Sequence, residues 1–223
     1  RASGPRARTA SPADAVRDAD VVVLTVLWQH VPRVLRSAGS LKGKILIDCT
    51  NPLTLSDDAL AVGHRTSGAE IVARRARGAY VVKAFNTTPA ELLRAGVDVL
   101  PEQPAACYCG DDAGAKRVTA RLIRQLGFDP VDCGALMNAR YLEPLAMLVG
   151  ELAYNQGKRP KVGLRILRRR RNRERHVVLR RELHDRAHIA LGGHQVATAG
   201  PDRRTHTGGD RKPGHRPLRP RAG

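Results

Sequence analysis

Five short strand-like runs, each separated from the next by a helix-length segment, constrain this chain more than any other feature. In the first, residues 21–27, Val21, Val22, Val23, Leu24, Thr25 and Val26 follow one another without a break. A continuous run of this kind, rich in β-branched residues, marks a strand covered on both faces. Largely apolar runs stand at 44–49, 80–85 and 105–109, and a short fifth strand is expected at 129–133. Between them lie helix starts: Ser11 with Pro12 and Asp14, Ser67 with Glu70, Thr88 with Pro89 and Glu91, and Asp111 or Asp112. Each puts an acceptor, a proline or an acid where the first unpaired N–H groups of a helix need one. A helix is also expected over 30–38, with Val31, Val34 and Leu35 on one side, and a long one over 136–154.

Strands alternating with helices of this length predict an α/β, Rossmann-like parallel sheet with right-handed crossovers, then a long C-terminal helix. In such sheets the ligand lies outside the carboxyl ends of the strands. Those ends read Val26-Leu27-Trp28, Thr50-Asn51-Pro52 and Ala84-Phe85-Asn86-Thr87. Small polar residues on turns suit a cofactor ring and its carboxamide. Taken singly, Thr50, Asn51, Asn86 and Thr87 are also ordinary turn and cap residues. Their recurrence at consecutive strand ends is what points to a site.

Composition sets the domain boundary. Residues 1–157 hold 19 Lys and Arg against 16 Asp and Glu, whereas residues 158–223 hold 20 against 5. All seven aromatic residues lie before residue 158. A highly charged segment without aromatics buries too little surface to offset the ordering of its backbone. One domain over 1–167 is therefore expected, with a basic, low-complexity, disordered tail over 168–223.

Several classes are set aside. No apolar run approaches the roughly 20 residues of a membrane-spanning helix, and no secretory signal is recognisable, so a cytoplasmic protein is expected. Cys49, Cys107, Cys109 and Cys133 lie in or beside strand-like runs, as buried reduced thiols do. Cys107 and Cys109 stand two apart, which places them on one face of a strand. His184, His188 and His194 match the histidine spacing of a zinc protease, but Asp185 replaces the general-base glutamate and Leu191 the glycine. No metal is expected there.

The segments DVVVLTVLWQHVPRVL and LKGKILIDCTNPL, within residues 20–52, resemble the NADPH-dependent deazaflavin (coenzyme F420) reductase family. So do TSGAEIVA, YVVKAFNTTPAE, CYCGDDAGAKRVTARLIRQLGFDPVDCG and ARYLEPLAMLVGELAY, and the resemblance spans residues 8–167. It implies a partial NAD(P)-binding domain over 1–167 that passes hydride between NADP(H) and a deazaflavin lying face to face with it. Looser relatives reduce other acceptors. The implied partners are these small-molecule cofactors; a homo-oligomer stays open. By the match, Trp28, Thr50, Asn51, Pro52, Ala84, Phe85 and Asn86 line the nicotinamide side. Leu27 stands where proline is frequent, a change expected to alter the loop over the cofactor. Hydride transfer between stacked rings needs positioning and exclusion of water, so no catalytic acid or base is nominated.

Such proteins open with a strand, a G-x-G-x-x-G turn and a helix. No two glycines of this chain stand two apart, so that turn lies nowhere in it. The chain reads as entering after the turn, near Ala7, its sheet missing the first strands, as a piece of a longer protein or a decayed copy. Two consequences are expected: an edge position for a strand built for burial, and impaired NADPH binding and turnover. The competing reading is an inactive Rossmann remnant acting through its tail. Arg168 to Arg171, with Arg173 and Arg175, admit three accounts: a non-specific nucleic-acid patch, a solvated tail, or a shifted reading frame.

Overall fold

Each of the five runs folds as a strand: β1 (Val21–Leu24), β2 (Ile45–Asp48), β3 (Tyr80–Ala84), β4 (Ala105–Gly110) and β5 (Asp129–Asp132). They form one sheet in that order. The computed structural model describes residues 8–56, 59–156 and 162–167. The expectations for the tail beyond residue 167, including its disorder, nucleic-acid binding and zinc-spaced histidines, lie outside the described residues.

The strands are not all parallel. β1, β2 and β3 run parallel, and so do β4 and β5, but β4 is antiparallel to β3, with Val82 opposite Gly110 and Ala84 opposite Tyr108. The all-parallel expectation fails at the connection between them. A parallel return needs a crossover that spans the sheet. The β3–β4 segment holds only α4 (Ala90–Ala95) and a 3-10 turn at Val97–Val99. Six helical residues rise about 9 Å, so the chain re-enters at the end it left. The next connection, α5 (Ala113–Gln125), has 13 residues and restores a parallel pair.

The pleat sends alternate residues to two cores. On one side Leu24, Leu46, Val81, Cys107 and Cys109 pack with α2 (Val31–Ala38), α3 (Gly68–Arg75) and α6 (Ala139–Gly150). The spacing of Cys107 and Cys109 does place both on this face. On the other side Ile47, Val82, Ala84, Ala106 and Tyr108 meet Leu92 of α4 and Ala115, Ala120 and Ile123 of α5. Because α5 lies over β3, β4 and β5, β1 is less covered: Val23 is 51% exposed. Among the described residues β1 pairs only with β2, the expected edge position.

Ser11 caps α1 (Pro12–Arg17) by accepting the Asp14 N–H at 3.2 Å. Ser67 likewise accepts the Glu70 N–H at 3.2 Å, and Asp112 the Ala115 N–H at 2.6 Å. Asp111 instead accepts the Leu136 N–H at 2.8 Å. Thr88 does not cap: its N–H closes a turn onto the Phe85 carbonyl, and α4 starts beyond Pro89 without a side-chain cap. The single helix expected over 136–154 winds in three ways: a 3-10 turn at Leu136–Asn138, α6, and a π-helical turn at Glu151–Asn155.

Candidate active-site cleft

Beneath the carboxyl ends of β2 and β3 lies a buried ionic group. Asp48 and Lys83 are register partners on adjacent parallel strands. The fully buried Lys83 Nζ donates to Asp48 Oδ2 at 3.1 Å, to Glu143 Oε1 of α6 at 3.0 Å, and to the Thr50 carbonyl. Burial pulls this ammonium down, but the two carboxylates outweigh it and hold it above its ordinary value. Donors satisfy the second negative charge. Asp48 Oδ1 accepts the Thr50 N–H at 3.0 Å and the Thr50 hydroxyl at 2.8 Å. Glu143 accepts the first two N–H groups of α3, Gly68 at 2.8 Å and Ala69 at 3.0 Å. Gly68 permits this approach, since a Cβ there would stand 3.1 Å from both Glu143 Oε1 and Pro52 Cγ.

Asn51 and Asn86 bond reciprocally above that group. Asn86 Nδ2 donates to Asn51 Oδ1 at 3.1 Å and to the Leu142 carbonyl at 2.9 Å, while Asn51 Nδ2 donates to the Asn86 carbonyl at 3.1 Å. Phe85 takes φ +62°, a left-handed conformation rare for a bulky residue and costing about 1–2 kcal/mol. Its side chain faces one cavity and that of Asn86 another.

The first cavity, about 620 Å³, is apolar. Val23, Ile47 and Cys49 form one wall, with Leu122 of α5 and Leu126 at its C-cap opposite and Thr50 and Asn51 at its polar side. Burial, then the Asp48 charge, push the Cys49 thiol up to about 12, so it serves here as apolar wall. The second cavity, about 610 Å³, is mixed in character and the more polar of the two; it lies between Asn86, Thr87 and Thr88 on one side and Met147, Glu151 and Tyr154 on the other. Asn51, Leu53, Thr88 and Ala90 line both. The Tyr154 hydroxyl donates to Glu91 Oε2 at 2.7 Å.

Of the seven residues expected on the nicotinamide side, Thr50, Asn51 and Phe85 line the apolar cavity, and Asn86 with Asn51 lines the polar one. The other three do not line either cavity. Ala84 is sealed in the sheet core, Pro52 is buried near Gly68, and Trp28 packs against the α2–α3 side. Leu27, at φ −60°, keeps an angle proline also takes. The expected change in its loop therefore does not follow from that substitution. Sequence reasoning missed Lys83, whose signal was a lone cation in a strand beside a lone acid at matching register. It also missed the α5 wall, signalled by Leu122 and Leu126 four residues apart.

A parallel three-strand edge with polar strand ends over an apolar cleft is the Rossmann-like arrangement, in which a ligand lies outside the carboxyl ends of the strands. Comparison with known proteins narrows the class. The family model described as "NADP oxidoreductase coenzyme F420-dependent" matches residues 1–52. The chain is 32% identical over 155 residues to the F420-dependent NADP reductase of Methanothermobacter marburgensis, covering 65% of this chain and 67% of that protein. A crystal structure of a putative F420-dependent NADP-reductase from Arthrobacter superposes with TM-score 0.65 at 32% identity, covering 71% of this chain and 74% of that one. The rat metalloreductase STEAP3 is 36% identical over 137 residues, but the chain spans only 27% of its length. This chain belongs to the coenzyme F420-dependent NADP oxidoreductase family.

Proposed function

We propose that the strand-end cleft passes hydride between the nicotinamide of NADP(H) and a deazaflavin coenzyme. The apolar cavity at the ends of β1 and β2 carries this reading. Its volume lies within the range of small-molecule sites, and its Val, Ile and Leu walls suit two flat rings laid face to face. Bound there, the two cofactors supply the redox chemistry themselves. Thr50, fixed from below by Asp48 and Lys83, and Asn51, held by Asn86, orient the ring, and the aliphatic walls exclude water. The reading needs no acid or base. Among the described residues no helix is long and apolar enough to cross a membrane.

The residues lining either cavity include no lysine or arginine, and the chain contains no glycine-rich turn. These 223 residues alone are therefore expected to hold NADPH weakly and turn over slowly. The competing reading, an inactive remnant acting through its basic tail, rests on residues outside those described. The test is to mix the chain with C4-deuterated NADPH and an oxidised deazaflavin at millimolar concentration, then look for deuterium in the reduced deazaflavin by mass spectrometry. Transfer is expected. Its absence at saturating cofactor would overturn the proposal.

A further inference from the structure

The outer side of α6 is unlike that of the other long helices. α2 turns Arg33 and Arg36 outward, α3 turns Arg74 and Arg75, and α5 turns Arg117, Arg121 and Arg124. α6 turns Tyr141, Pro144 and Leu148 outward, and no charge. Its inner side is covered already, with Ala139, Leu142, Ala146 and Val149 buried. A helix that is apolar all round belongs in an interior. Half of this one faces outward: Tyr141 is 72% exposed, Leu148 56%, Leu152 of the next turn 41% and Met137 of the preceding turn 50%.

Tyr141, Leu145, Leu148 and Leu152 follow one another at steps of four, three and four. That is the 3.5-residue period of a seam between two paired helices. With Pro144 they fall in one stripe roughly 100° wide.

Three observations fit a second copy of this chain to the stripe. The stripe carries no charge, so it meets its own image across a twofold axis without repulsion. Its flank carries Arg140 at the N-terminal end and Glu151 at the C-terminal end, both half-buried. An antiparallel pair brings Arg140, already held in place by Glu70, level with the partner's Glu151. A parallel pair would set like charges together. The area is also sufficient. At roughly 200 Å² for a large side chain, the four exposures leave about 450 Å² open per copy, so a pair covers about 900 Å² from the stripe alone. Arg140 and Met147 at the flank bring this near the roughly 1,000 Å² that a specific interface needs. The chain's own residues 158–223 are a poor cover, with 20 Lys and Arg against 5 acids and no aromatic residue.

We propose that α6 is the contact between two copies of this chain, packed antiparallel across a twofold axis along Tyr141, Leu145, Leu148 and Leu152. The inference stands apart from the hydride-transfer reading.

The experiment is sedimentation equilibrium of the full chain from about 1 to about 200 µM, at low and at high salt. A monomer–dimer equilibrium in the micromolar range is expected. High salt should change it little, because the contact is apolar. Leu148→Glu should weaken association about a hundredfold or more, since two charges enter each interface. Tyr141→Ser should weaken it about tenfold. Both positions are exposed, so dilute samples of the two variants should melt as the parent chain does. Glu151→Arg should weaken association several-fold more than Glu151→Gln, because it sets an arginine beside the partner's Arg140. A chain that stays monomeric at the highest concentration would overturn the proposal. So would association that high salt abolishes, which would belong to the basic residues. If Leu148→Glu pairs as the parent chain does while Val23→Lys does not, the second copy sits on the β1 edge and the proposal falls. Equal effects of Glu151→Arg and Glu151→Gln would overturn the antiparallel arrangement.

Discussion

The two cavities that meet at Asn51 differ in how they are built. On the apolar side, strand residues with Leu122 of α5 and Leu126 at its C-cap offer surface without direction, so a flat ring is held by area and shape. On the other side Asn86, tied to Asn51 and to the Leu142 carbonyl of α6, stands beside Thr87 in a wall richer in polar groups. Both are tied to the Lys83 group, the apolar one directly through Thr50 and the other through Asn86, whose amide holds the carbonyl of Leu142 next to Glu143. A ligand spanning them would be gripped by area at one end and by hydrogen bonds at the other, and damage should sort accordingly.

Damage to the Lys83 group is the largest effect expected. Lys83→Met leaves Asp48 and Glu143 buried without their cation, at a cost of about 3–5 kcal/mol read from the urea midpoint. Ligand binding in both cavities should fall together. If Lys83→Met cost no more than a surface change, the shared tie would be dismissed. The pH dependence has a definite sign. Against burial, the carboxylates raise Lys83 above 10.5, so its stabilisation is present below pH 10.5 and lost as pH rises through the folded value.

A smaller loss is expected at the α3–α6 seam. Arg140 donates to Glu70 at 2.8 and 2.6 Å, and this pair, with burial opposing, holds the Glu70 carboxyl below its ordinary 4.5. Its contribution is present above pH 4.5 and is lost as pH falls through the folded value. Glu70→Gln should cost about 1 kcal/mol at neutral pH and flatten the acid limb of the stability profile. An unchanged acid limb would remove this pair from the account.

The two walls should answer separately. Thr87→Val removes a buried hydroxyl without a hydrogen-bond partner, so it should gain up to about 1 kcal/mol of stability, measured by thermal unfolding, while leaving apolar-ring binding unchanged. Leu126→Gln should change stability by less than about 0.5 kcal/mol, as half-exposed positions do, yet weaken binding in the apolar cavity. If either variant weakened both cavities equally, the division at Asn51 would be wrong.

How much of this was readable from sequence varied with the physics. The strands were legible because β-branched runs carry their own signature, and Ser67 and Asp112 because a cap is a local event. The turn of β4 was not, since the length of α4 is set by where Pro89 lets it start. Asn51, Phe85 and Asn86 stood out as strand-end residues. Pro52 and Ala84 share that position but are buried, and the half-buried Trp28 packs on the α2–α3 side, which only the tertiary fold decides. Lys83 hid because a buried cation looks like an interruption until its partners, 35 residues upstream and 60 downstream, are placed beside it.

By the function proposed above, these residues build the ring end of a dinucleotide site and not its phosphate end. Comparing the affinity of the chain for NADPH and for reduced nicotinamide mononucleotide, by fluorescence titration, tests it directly. Weak binding of both is expected, within a few-fold of each other, because the residues lining the two cavities include no lysine or arginine and the sequence holds no G-x-G-x-x-G turn. Micromolar binding of NADPH, a hundredfold or more above the mononucleotide, would contradict it.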